Sequence, residues 1–193
     1  MIKVVVAVVV GAVFGAVTSL LNALSSPYTG IGEPLAGTVA APVLQVASRL
    51  LGVGWSWAAL ALAAGWYARR APLGAAAGTG ALFAATAAYY VLDPVLRQEP
   101  FGWHAGALVF WGVAAAVFGP PLGALGACVG RPGPLGLLAG LVVPAGAAAE
   151  MLWFRAPHPL IPLSPAEQTA RWIVLVGAAA VAFVLVVRRF ARL

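Results

Sequence analysis

The chain has 193 residues, 63% of them hydrophobic and 8% charged, with a formal net charge of +6. A soluble domain carries about 25% charged residues, so a chain this poor in charge cannot cover itself for water and must present most of its surface to lipid. Nucleic-acid binding is excluded in spite of the positive charge, because the arginines stand singly or in pairs at the ends of apolar runs, where topology signals and headgroup contacts belong.

The runs are continuous rather than alternating, and open sheets leave backbone groups unsatisfied in lipid. They therefore read as helices, each needing about 20 residues to cross. The first run, Val4 to Leu24, stops at Ser25-Ser26-Pro27. With Met1-Ile2-Lys3 before it, it resembles a signal sequence with a cleavage point near Ala23-Leu24-Ser25. Its apolar stretch is long for a signal, and we read it as a retained first helix. A glycine-rich turn, Tyr28 to Gly32, leads to Pro34–Leu51, a weaker stretch interrupted by Pro42, Gln45 and Arg49. A short span from Trp55 to Tyr67 ends at Arg69-Arg70. Another runs from Leu73 to Asp93, where Pro94 fits a helix end. The next starts near Trp103 and reaches about Gly130, interrupted by Pro120-Pro121. Leu135 to Phe154 is a further span, Ala156 to Pro165 a proline-rich loop, and the last helix runs from near Ala166 to Arg188-Arg189.

The expectation is an all-α, polytopic transmembrane helix bundle in a single domain, residues 1–193. Cytoplasmic loops are enriched in Lys and Arg. Six spans, with Pro34–Leu51 as an outer re-entrant or surface helix, place Lys3, Arg69, Arg70, Arg131, Arg188, Arg189 and Arg192 inside, with a cytoplasmic C-terminus. Arg49, Arg97, Arg155 and Arg171 then lie outside. If Pro34–Leu51 crosses, there are seven spans, and only Lys3 and the first loop change sides. Gly11/Gly15, Gly74/Gly78, Gly119/Gly123 and Gly136/Gly140 each put two glycines on one helix face, which lets backbones approach closely; some of these pairs arise by chance in a chain so rich in Ala and Gly. No internal repeat supports an inverted-repeat transporter.

All five acids, Glu33, Asp93, Glu99, Glu150 and Glu167, fall toward the outer side in the six-span arrangement. Asp93 has Tyr89 and Tyr90 one turn before it and Thr86 on the same stripe. This is a carboxyl flanked by phenols, suited to general-acid work or to a proton or cation site; equally, it is a helix-end carboxylate paired with Arg97. Glu150 is the acid most embedded in apolar sequence, beside Trp153 and Phe154. It is a candidate acid, or else an interfacial side chain that pairs with Arg155 or Arg171. Glu33 before Pro34 complements a helix dipole, or stands at a cavity mouth. Glu99 and Glu167 are loop and helix-start acids.

His104 follows Trp103, and His158 lies in the outer loop; no H-E-x-x-H or other metal spacing is present, and both read foremost as interfacial. Cys128, the single cysteine, excludes an internal disulfide and reads as a small helix-contact residue. Among the seven tryptophans, Trp55, Trp57, Trp103, Trp153 and Trp172 gather at outer ends, as an aromatic belt or as a cavity lining whose ring faces stabilise a cation. Trp111 is deeper than a belt explains. With no phosphate-binding loop, nucleophile elbow or Asp-rich diphosphate motif, no cofactor or metal is expected.

Gly11-x-x-x-Gly15-x-x-Thr18-Ser19, Tyr89-Tyr90, and Trp111 followed by Gly119-Pro120-Pro121-x-Gly123 resemble a group of small actinobacterial membrane proteins over most of the chain. More loosely, the size and the acids beside aromatics resemble the bacterial integral membrane terpene cyclases of drimane-type indole sesquiterpenoid pathways. That second resemblance implies protonation-triggered cyclisation of a lipophilic prenylated substrate in the bacterial cytoplasmic membrane, a metal-independent isomerisation in specialised metabolism. Asp93 or Glu150 would donate the proton and Tyr89 and Tyr90 would tune the donor. Trp111, Trp153, Phe154, Glu33 and His104 would line or bound the substrate site. The partners expected are membrane lipid, the substrate and a second copy of the chain. A small-solute or proton-coupled carrier and an accessory subunit of a membrane complex are the competing readings.

Overall fold

Runs of Ala, Val, Leu and Gly without charges can satisfy their backbone in lipid only by bonding within the segment. The computed structural model accordingly has helices and turns and no strand among the residues it describes, 1–154 and 162–190, the side chains of Phe154 and Phe190 excepted. Arg155, His158 and Arg192 lie outside the described residues. Helix α1 spans Ile2–Ser25 and stops where Ser26 turns extended before Pro27. A 3₁₀ turn, Glu33–Leu35, precedes α2, Ala41–Leu51, and α3, Gly54–Ala68; these two helices meet at 60° across Gly52-Val53. Then come α4, Ala71–Arg97, and α5, Phe101–Gly126. Helix α6, Pro134–Ala149, runs on into a π turn, Glu150–Phe154, and α7 covers Pro165–Phe190. Ser164 and Glu167 bond reciprocally, side chain to backbone N–H, at the start of α7, a capping box.

Two expected breaks do not occur. Helix α4 continues through Pro94 to Arg97, because a proline in the last turn forfeits a single bond, the one to the Tyr90 carbonyl. Helix α5 continues through Pro120-Pro121, whose missing donors leave only the Ala116 and Val117 carbonyls without their i+4 partners.

Five helices, α1, α4, α5, α6 with most of the π turn, and α7, are long and apolar enough to cross a membrane. The bent pair α2–α3 passes the same test only when taken together. This is the architecture of a multi-pass membrane protein. Its interior is small and its exterior large: the core is mostly alanine, Thr18 and Ser19 are the largest fully buried side chains, and valines and aromatics face outward. Helices in lipid gain by close packing and not by burying large apolar groups.

Glycine sets the contacts. A Cβ on Gly11 would lie 2.2 Å from the Ala81 carbonyl oxygen, and one on Gly15 would lie 2.0 Å from that of Ala85. The two registers advance together, so α1 runs parallel to α4. Gly74 and Gly78 of α4 meet Gly123 and Gly119 of α5, and Gly65 of α3 meets Gly123 from another side. Three of the four glycine pairs are therefore contacts between helices. In the fourth, Gly140 touches the Leu185 side chain of α7 and Gly136 folds against the Arg131 backbone.

The molecule has two distinct ends. At one, Lys3 lies 5.4 Å over the Tyr67 ring, Arg69 lies 5.0 Å over Trp66, and Arg131 donates to the Arg69 carbonyl. At the other are Asp93, Arg97, Glu99 and His104. Helices α6 and α7 join the rest through Val53, Ala147, Met151 and Val174.

Candidate functional site

Where α2 bends into α3, the backbone of Gly52-Val53-Gly54 borders a gap in the packing. The gap is a chamber of about 430 Å³ bounded by α1, α3, α4 and α5. Its aromatic wall consists of Trp57, Tyr89, Tyr90, Trp111 and Phe118; Thr18, Thr86 and Asn22 are its polar points. The rings hold one another edge to face: Phe14 on Trp57 at 5.5 Å, Trp57 on Tyr89 at 6.2 Å, Tyr89 on Tyr90 at 4.9 Å between centroids. Trp57 Nε1 donates to the Leu51 carbonyl at 3.2 Å, which fixes that ring across the helix break. Asn22 ties three elements together: its Nδ2 donates to the Tyr89 hydroxyl at 2.7 Å, and its Oδ1 accepts from the Ser48 hydroxyl of α2.

Beyond the tyrosines, away from the chamber, lies a charged cluster. Asp93 is buried; Arg97 Nε donates to both its oxygens at 3.1 and 3.0 Å, and Ser19 makes a long contact at 3.5 Å. His104 on α5 stands between two carboxylates, with Nε2 2.8 Å from Glu99 and Nδ1 3.7 Å from Asp93. The phenols of Tyr89 and Tyr90 are neighbours of Asp93 in sequence, yet its hydrogen-bond partners are Arg97 and Ser19.

The candidate residues thus divide. Tyr89, Tyr90 and Trp111 line the chamber; Asp93 and His104 form the cluster one turn beyond. Glu150 belongs to neither. Its Oε1 accepts from the Gly54 N–H at 3.1 Å and its Oε2 from the Trp55 N–H at 2.8 Å, so it caps the N-terminus of α3 from another helix. Glu33 is exposed in the 3₁₀ turn, Trp153 is 74% exposed, and the Phe154 side chain lies outside the described residues. Trp57, assigned from sequence to the outer-end aromatics, is a chamber wall, and Asn22, Ser48 and Phe118 are additions. No local spacing announces them, since Asn22 and Ser48 meet through the packing of α1 on α2 and α4, and Phe118 reaches the chamber from α5.

No family model, no curated protein and no solved structure matches the chain.

Proposed function

We propose that this is an integral membrane terpene cyclase of the bacterial cytoplasmic membrane, which draws a prenylated molecule from the bilayer into the chamber and cyclises it by protonation. The observation that carries the proposal is the chamber itself: an apolar volume walled by five aromatic side chains and bounded by spanning helices, with a buried acid one turn past its end. A prenyl chain partitions from lipid into such a volume without loss of apolar burial, and ring faces stabilise a carbocation passing between them. The reaction is balanced internally: an alkene or epoxide accepts a proton, a ring C–C bond forms from the next alkene, and the final cation returns a proton. Asp93 is the proposed donor once its pair with Arg97 opens and it takes up a proton, with Tyr89 and Tyr90 between it and the substrate. Glu150 leaves this role in our proposal, since it does not line the chamber and instead caps the start of α3.

Six spans fit this reading, with α2–α3 as one outer segment and one bent crossing. The parallel pairing of α1 with α4, and Lys3 over Tyr67, support a first helix whose N-terminus shares the Arg69-Arg70 side. Seven spans would separate Lys3 from Tyr67 by the bilayer. Placing Arg69, Arg131, Arg188 and Arg189 in the cytoplasm follows from the positive-inside rule.

The test incubates membranes containing the protein in D₂O with farnesylated and geranylgeranylated acceptors, prenylated indoles included. A cyclase yields an isomer of altered retention carrying one deuteron on carbon, and Asp93→Asn abolishes it. If Asp93→Asn keeps full activity, Asp93 is not the donor. Binding without any isomer across the panel, followed by directional uptake into vesicles, would replace the cyclase by a carrier.

A further inference from the structure

A second cavity, of about 220 Å³, shares Val53 with the chamber and lies between α2, the π turn and α7. Arg49, Arg171 and Glu167 supply its polar wall, and Val53, Met151 and Val174 are among the apolar residues beneath. The three charged groups are not equivalent. Glu167 is engaged by its own helix start, where Ser164 donates twice to Oε2 at 3.0 Å, and Arg49 Nη2 reaches Oε1 at 3.3 Å. Glu167 therefore orients Arg49 at the pocket. Among the described residues, no carboxylate pairs with Arg171. Among the described residues, two guanidinium groups and one carboxylate leave the pocket with a single net positive charge.

That charge complements a phosphodiester, which carries a single negative charge. Guanidinium groups present paired donors to phosphate oxygens, and the apolar floor suits glycerol and the first acyl methylenes. Arg171 lies less than two turns into α7, a helix that is apolar from there to Arg188, which is the depth of the interface and not of bulk water. We propose that this pocket binds the phosphodiester headgroup of an anionic membrane lipid, with Arg171 and Arg49 as the phosphate ligands. The inference is independent of any reaction in the chamber.

The experiment uses the full-length protein in an uncharged detergent and measures thermal stabilisation and retained lipid by native mass spectrometry. The probes are phosphatidylglycerol, diacylglycerol of the same acyl chains, and inorganic phosphate. Phosphatidylglycerol is expected to bind and stabilise while diacylglycerol does neither. Arg171→Gln should weaken that binding roughly tenfold, the loss of one charge-assisted contact. Arg70→Gln, the same charge change at the other end, should leave it unaltered. Arg171→Lys keeps the charge and secures the result if Arg171→Gln fails to fold; it should bind at an intermediate level. Equal binding of phosphatidylglycerol and diacylglycerol, or wild-type binding by Arg171→Gln, would overturn the site. Stabilisation by inorganic phosphate with no preference for the anionic lipid would identify free phosphate as the ligand and overturn the lipid assignment.

Discussion

At Asp93 a buried carboxylate has Arg97 Nε within 3.1 Å of both oxygens, one turn on along the same helix. Removing one partner of such a pair leaves the other buried and uncompensated, which costs more than the pair contributes. Arg97→Gln is expected to destabilise the protein by about 3 kcal/mol, read from unfolding in detergent, and Asp93→Asn in the same chain should restore more than half of the loss. At Glu150 the carboxylate caps α3, so Glu150→Ala should cost about 1 kcal/mol and leave any turnover in the D₂O assay intact. Loss of turnover without loss of stability would return Glu150 to the catalytic candidates. The pairing of Asp93 with Arg97 was legible in sequence, because the two stand four residues apart on one helix, whereas the separation of Asp93 from the phenols of Tyr89 and Tyr90 was not. The partner of Glu150 was not legible, because its oxygens bond backbone N–H groups of a helix nearly a hundred residues earlier, and backbone donors leave no mark in a sequence.

Between elements, glycine decides what can touch. A Cβ on Gly123 would lie 2.1 Å from the Gly74 carbonyl oxygen, with backbone on both sides. Gly123→Ala should therefore cost roughly 3 kcal/mol by forcing α4 and α5 apart. Gly177, with open space around it on α7, gives the contrast. Gly177→Ala should be neutral or stabilise by up to about 0.5 kcal/mol, and thermal unfolding of the two variants side by side checks both. The glycine pairs were visible from their four-residue spacing, whereas their partners were not: spacing shows that a face is small, not which helix it meets. Pro94 and Pro120-Pro121 misled for a related reason. A proline breaks a helix in water, but in a bundle the neighbouring helices hold the backbone through one or two missing bonds.

For the molecule as a whole, composition was enough for a helical membrane bundle, while the path of the chain needed tertiary contacts. The weak stretch at Pro34–Leu51 could cross or stay outside on hydropathy alone; Lys3 over Tyr67 and the parallel α1–α4 register bear on that choice. In a Cys128→Ala background, a membrane-impermeant maleimide is expected to label Val39→Cys in intact cells. Lys3→Cys and Arg70→Cys should label only after permeabilisation. Labelling of Lys3→Cys from outside would favour seven spans.

The parallel register of α1 on α4 also sets an order in time. A ribosome adds about 5–20 residues per second, so the glycine face of α1 reaches the bilayer on the order of ten seconds before Ala81 and Ala85 exist to cover it. During that interval α2 and α3 are synthesised next to it and do not occupy the Gly11–Gly15 face in the finished protein. The newly inserted first helix must wait, held by lipid or by the insertion machinery, until a later segment slides in beside it. A chain truncated after Ala68 should consequently leave α1 unassembled and open to intramembrane or quality-control proteolysis, whereas one truncated after α4 should be protected.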